Sequence, residues 1–182
     1  MSISVVLLRG INVGRHRRVS MADVRASLAD VGYPDVETYL QSGNLLVETR
    51  VGATRLGADV EAALRGDLGL DIDAIVRTGA QLRKVLTTNP FLAERVPTSA
   101  LHVGYCKSKP SAAAARALAA RDFGRDRATV VGAEVFLLYP DGQGRSKMSG
   151  AVIEKILDVA VTVRNWNVTT ALAERAVAGR AS

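Results

Sequence analysis

Apolar positions along the chain switch repeatedly between the period of a strand and that of a helix. Residues 3–9 open on a short run in which β-branched and leucine side chains fill both faces, the pattern of a buried strand. After a loop over 10–19, Met21, Val24, Leu28 and Val31 recur at helical spacing. Ser20 with Asp23 three residues on forms a capping box ahead of them, and Gly32 ends the helix where a left-handed residue is needed. Residues 36–41 and 45–49 read as two strands of a hairpin around Ser42-Gly43-Asn44. Leu56, Val60, Ala63, Leu64 and Leu68 line a second helix, and residues 72–77 alternate as a strand.

The same order then returns. Thr78 and Gln81 form a capping box for a helix with Leu82, Val85 and Leu86 on its inner face, and Asn89-Pro90 stops it. A loop holding Phe91 and Pro97 leads to a strand over 101–106, and Ser111 caps an alanine-rich helix that runs to the neighbourhood of Asp122. Strands at 129–131 and 135–139 pair across Gly132-Ala133-Glu134. The loop Pro140-Asp141-Gly142-Gln143-Gly144 leads into a helix with Met148, Val152, Ile153, Ile156 and Leu157 on its apolar face, followed by a strand at 161–163 and a last helix from the region of Asn165. Strand, helix, hairpin, helix, strand therefore occurs twice, which is the ferredoxin-like order. The predicted fold is α+β, with two ferredoxin-like βαββαβ units packed together. The first occupies 1–78; the second, with a connector helix, occupies 79–182. The repeat is one of topology, without evident residue-level self-similarity.

Composition narrows the setting. At 182 residues the chain can bury about 70% of its unfolded surface and needs no covalent staple. Cys106 is the single cysteine, so no internal disulfide forms, and His16 and His102 are the only imidazoles, which leaves no zinc-type ligand spacing. The first apolar run is shorter than a signal-peptide core, lacks preceding basic residues and is closed by Arg9. No stretch approaches the ~20 apolar residues of a membrane span. These features predict a cytoplasmic protein without membrane contact. Lysine and arginine number 24 against 18 acids, a net charge of +6 that favours anionic partners.

Two loops concentrate that charge. Gly142-Gln143-Gly144-Arg145-Ser146-Lys147 follows a strand and is expected at the start of a helix, where free N–H groups, close backbone approach at the glycines and the donors of Arg145, Ser146 and Lys147 suit a phosphate. The bland alternative is a Pro-Asp-Gly turn with Ser146 as helix cap. A third fingerprint glycine is missing and the Walker pattern is not met, so no Rossmann or P-loop nucleotide site follows. The other loop carries Arg9, Gly10, Asn12, Gly14, Arg15, His16, Arg17 and Arg18 without an acid, and its arginines can grip phosphate or carboxylate bidentately. Arg164-Asn165-Trp166-Asn167 adds the only tryptophan beside polar groups. Asn165 as a cap and Trp166 as core are the commoner fates, whereas an exposed Trp166 would stack on a base or a guanidinium.

Catalytic constellations are sparse. No nucleophile elbow, H-E-x-x-H pair or carboxylate cluster is present, and a general acid or base would have to be His16, His102 or an isolated carboxylate, lysine or tyrosine. No spacing names a cofactor. The two central strands of the first half lack the aromatic platform of RNA-recognition domains, so nucleic acid would be held through its backbone.

Leu7-Leu8-Arg9-Gly10-Ile11-Asn12-Val13-Gly14, Tyr39-Leu40-Gln41-Ser42-Gly43-Asn44, Asn89-Pro90-Phe91, Leu101-His102-Val103, Tyr139-Pro140, Gly144-Arg145-Ser146-Lys147 and Arg164-Asn165-Trp166-Asn167 together resemble the bacterial family called domain of unknown function 1697. That resemblance implies two ferredoxin-like parts and supplies no established activity. Arg15-His16-Arg17-Arg18 departs from the family, which more often has a glycine and a mixed basic and polar turn, and makes this loop bulkier.

The leading expectation is a phosphate-bearing ligand, a nucleotide or nucleic-acid backbone, held between the 10–18 and 142–147 loops. Arg9, Arg15, Arg145, Lys147 and Arg164 would supply charge, Asn12, Asn44, Ser146 and Asn165 would orient the ligand, and Gly14, Gly144 and Trp166 would complete the site. An enzyme acting on a small phosphorylated or acidic metabolite, with His16 or His102 as first candidates for proton transfer, is the second. A protein-interaction module whose loops are only structural is the third.

Overall fold

The computed structural model describes residues 1–12 and 19–178. The described residues form two units, one of residues 1–83 with 172–178 and one of residues 84–171.

In the first unit, β1 (Ser2–Leu8), α1 (Met21–Asp30), β2 (Glu37–Tyr39), β3 (Asn44–Thr49), α2 (Ala53–Leu68) and β4 (Ala74–Thr78) build a four-stranded sheet in the order β2-β3-β1-β4, with every pairing antiparallel. The apolar stripes of α1 and α2 are buried with Val6, Leu8, Leu45, Val47 and Ala74 from alternate strand positions, which forms one core. Ser20 caps α1 by accepting the Asp23 N–H, as the sequence predicts, and Gly69 closes α2 with a φ of 65°. Strand β2 is shorter than expected because Leu40 takes a left-handed φ of 60°, which ends pairing after Tyr39.

In the second unit, β5 (Leu101–Cys106), α4 (Ala112–Ala120), β6 (Arg127–Val131), β7 (Glu134–Leu138), α5 (Gly150–Leu157) and β8 (Val161–Asn165) form another four-stranded antiparallel sheet in the order β6-β7-β5-β8. Cys106, Leu118, Val135, Leu137, Tyr139, Ile153 and Val161 share its core. The chain is thus α+β with two four-stranded antiparallel sheets.

Each last strand runs straight into a helix: β4 into α3 (Gly79–Thr88) and β8 into α6 (Trp166–Ala178). Thr78 and Gln81 exchange the two hydrogen bonds of a capping box at the start of α3, and Asn165 Oδ1 accepts the Val168 N–H at the start of α6. The division differs from the boundary at 78/79 expected from topology, since the end of α6 groups with the first unit. The reason is local packing. A Cβ at Gly79 would lie 3.0 Å from the Ala176 carbonyl oxygen, and Arg175 pairs with Glu37 and stacks on Tyr39 with its guanidinium 4.7 Å from the ring centroid.

One expected helix start is corrected. The 142–147 loop does not open α5. A 3₁₀ turn occupies Gln143–Arg145, and Ser149 rather than Ser146 caps the helix by accepting the Val152 N–H. Met148 explains the delay: its N–H donates to Ser146 Oγ and its carbonyl accepts the Tyr139 hydroxyl, so this residue is pinned into the core ahead of the helix.

Candidate functional site

Antiparallel pairing decides which loops meet within each unit. In the first, Leu7 lies opposite Asn44 and Leu8 opposite Ala74, so the end of β1, the 40–43 turn and the start of β4 share one end of the sheet. Arg9 therefore sits beside Asp73, with its guanidinium 3.7 Å from the carboxylate and its N–H bonded to the Asp73 carbonyl. Asn12, with a φ of 55°, donates its amide to the carbonyls of Val19 and Gln41 and accepts the Val19 N–H at 2.8 Å. Its side chain thereby joins residues 12 and 19 and ties them to the hairpin. Asn44 is fully buried and donates to the Tyr39 carbonyl and Ser42 Oγ. Gly43 has a φ of 73°, and a Cβ there would lie 2.5 Å from Ile11 Cγ2 and 2.8 Å from Leu8 Cβ, so only glycine lets the hairpin close onto the loop. A cleft of about 640 Å³ lies alongside, lined by Ile11, Asn12, Val19, Ser20, Leu40, Gln41 and Ser42. Gly14, Arg15 and His16 lie outside the described residues.

In the second unit, Arg127 pairs with Leu138, which brings the segment before β6 beside the segment after β7. A cleft of about 450 Å³ opens between them. Asp122, Phe123, Gly124, Arg125 and Asp126 line one side, and Asp141, Gly142, Arg145, Ser146 and Lys147 the other. Arg125 and Asp141 join the two walls through an ion pair of 2.8 Å, and both are well exposed. Such an exposed pair contributes about 0–1 kcal/mol. Arg145 and Lys147 are exposed and have no ion-pair partner among the described residues. Gly142, with a φ of 87°, turns the chain into this wall.

The remaining expected residues serve the fold. Arg164 is only 8% exposed and donates to Thr162 Oγ1 at 2.8 Å and to the Val163 carbonyl at 2.9 Å. Burial lowers its pKa to about 10, partly opposed by Tyr105. Trp166 is buried in the first turn of α6. Neither residue, nor Asn165, lines the 450 Å³ cleft. His102 is buried on β5 with its ring nearly perpendicular to that of Tyr139, centroids 5.1 Å apart, and it too is absent from that lining. Of the expected anion-binding set, the structure brings Arg145, Ser146 and Lys147 into one cleft of the second unit. It gathers Arg9, Asn12 and Asn44 at one sheet end of the first.

Phe123, Arg125 and Asp126 carry no local signal in the sequence because the 122–126 turn looks like an ordinary charged loop, and Asp141 reads there only as part of a turn. The available signal was the hairpin itself, since pairing of β6 with β7 necessarily sets the loop before one beside the loop after the other. Among the described residues there is no cluster of three or more metal-ligating side chains, and no helix is long and apolar enough to cross a membrane.

The conserved bacterial protein SP0830 from Streptococcus pneumoniae is similar in structure, with a TM-score of 0.68 and 18% identity over 95% of this chain and 97% of that one. At that identity the likeness shows the fold alone. No curated protein matches the chain. The family model described as "Protein of unknown function (DUF1697)" matches residues 1–136, three quarters of the chain and both of its sheets in whole or in part, and the chain belongs to that family.

Proposed function

We propose that the protein binds a phosphate-bearing ligand, and that the cleft between the 122–126 and 141–147 loops is where the phosphate sits. The observation that carries this reading is a pair of exposed cations, Arg145 and Lys147, on one wall of a cleft of about 450 Å³ and without a carboxylate partner among the described residues. The nearby arginine, Arg125, is already neutralised by Asp141. A guanidinium offers paired donors to two phosphate oxygens, and an ammonium adds a point charge. Since α5 begins only at Gly150, the helix dipole contributes little, and side chains carry the attraction.

Replacing both Arg145 and Lys147 with alanine should weaken binding of nucleotides and inorganic phosphate by about 1–3 kcal/mol and flatten its dependence on salt, because charge-assisted bonds are lost and fewer ions are displaced. Calorimetric titration at two salt concentrations checks this. Equal affinity and an equal salt slope in the double variant remove the cleft from consideration. Folding should be unaffected, since both side chains are exposed.

The same proposal takes each unit as a ferredoxin-like βαββαβ module, a view supported by the element order and by the strand order common to the two sheets. It also takes the protein as cytoplasmic; Cys106, buried and in no disulfide, suits a reducing compartment.

A further inference from the structure

The charges in the second unit's cleft are of both signs, and their placement restricts the kind of phosphate compound that fits. Once the Arg125–Asp141 pair is set aside, the cations Arg145 and Lys147 stand on the 141–147 wall, and the carboxylates Asp122 and Asp126 stand on the 122–126 wall. Asp122 accepts the Gly124 N–H through one oxygen at 2.8 Å, which leaves its other oxygen for solvent or ligand. Asp126 is half-buried, and its carboxylate has no hydrogen-bond or ion-pair partner among the described residues. Its charge adds to burial in raising the pKa of the Tyr139 hydroxyl. Phe123 lines the same wall and packs partly into the core, so the cleft also has an apolar surface.

A phosphodiester backbone carries a negative charge at every nucleotide and would bring phosphate to both walls. On the 122–126 side it would meet carboxylates, and like charges in a confined cleft repel. A compound with one phosphate and several hydroxyl or amino groups has no such conflict, because ionised carboxylates only accept hydrogen bonds and so require donors. The cleft volume lies within the range of about 300–1,000 Å³ typical of small-molecule sites.

We infer that this cleft takes a small phosphate monoester whose other end presents hydroxyl or amino donors to Asp126 and Asp122, rather than a nucleic-acid backbone. The inference rests on the phosphate reading above and specifies its ligand class.

Inorganic phosphate, ribose 5-phosphate and a ten-residue oligothymidylate are titrated calorimetrically into the full chain, into Asp126→Ala and into the Arg145→Ala, Lys147→Ala double variant. Ribose 5-phosphate should bind more tightly than phosphate. Asp126→Ala should weaken ribose 5-phosphate about tenfold, by loss of a charge-assisted bond, while leaving inorganic phosphate unchanged or tighter. Equal affinity for ribose 5-phosphate and phosphate overturns the inference, as does tightest binding of the oligonucleotide with a further gain in Asp126→Ala; in both cases the phosphate reading stands. Binding that persists in the double variant, or no binding of any probe to the wild type, sinks the phosphate reading itself. Thermal melts check that each variant folds, and Asp122→Ala, at an exposed position, provides a second test of the acidic wall.

Discussion

Asn12, Asn44, Arg164 and Asn165 show how a polar side chain that looks available in a sequence is claimed by the fold. Each is a potential ligand contact by type, and each makes hydrogen bonds inside its own unit. His102 is a different case. It is 8% exposed, its Nδ1 has no hydrogen-bond partner among the described residues, and burial lowers its pKa below the ordinary 6.5, with a backbone bond to Ala100 only partly opposing the shift. The unfolded imidazole takes up its proton near pH 6.5, and the folded one does so only at lower pH. Between those values the unfolded state holds more protons, so stability falls as pH is lowered through that interval. Urea unfolding of the wild type and of His102→Phe between pH 7.5 and 5 checks this, and the variant should lose that part of the slope. An identical slope in the two proteins assigns the pH dependence to other groups.

At the scale of elements, the two units repeat a device that the sequence hides. Arg77 near the end of β4 and Arg164 near the end of β8 are both buried, and each donates to the carbonyl of the residue before it. Each is followed directly by a capping residue, Thr78 or Asn165, and a helix. Only a handful of positions are shared, so no pattern of identities reveals the correspondence, whereas the strand order makes it plain. The edge strands are protected in related ways. Tyr39 and Glu37 of β2 receive Arg175, and Arg127 of β6 stacks on Phe91 at 5.3 Å and pairs with Glu94. Arg164→Ala should cost about 2–4 kcal/mol, through lost packing of the arginine stem and lost hydrogen bonds. It should leave phosphate affinity at the 142–147 loop unaltered. Denaturant unfolding together with the phosphate titration checks both parts, and a fall in affinity at unchanged stability would return Arg164 to the binding site.

On the scale of the whole molecule, the first unit is completed by residues from the far end of the chain. Leu172 and Ala173 are essentially inaccessible, and the last turns of α6 group with residues 1–83. Leu172→Ala should therefore destabilise the first unit by about 2–5 kcal/mol, the usual cost of emptying a buried leucine site. Hydrogen exchange reads this locally, as lost protection of the amides in β1, β3 and β4. Full protection there would exclude the end of α6 from that unit's core. Local patterns could not foresee the arrangement, because an amphipathic helix at the end of a chain says which face is buried and not which strands bury it.

The order of strands and helices, the capping residues and most of the core positions follow from the sequence itself, because they depend on interactions within a few residues: apolar period, Ser20, Ser111 and the Thr78–Gln81 box, and glycine at turns. The candidate cleft does not. Arg145 and Lys147 were visible as a basic loop, but their partner wall at 122–126 and the neutralisation of Arg125 by Asp141 depend on strand register across β6 and β7. Register, and with it the choice of which charges face an open cleft and which are paired, is set by the packing of residues distant in the chain, and that is decided only when the tertiary structure forms.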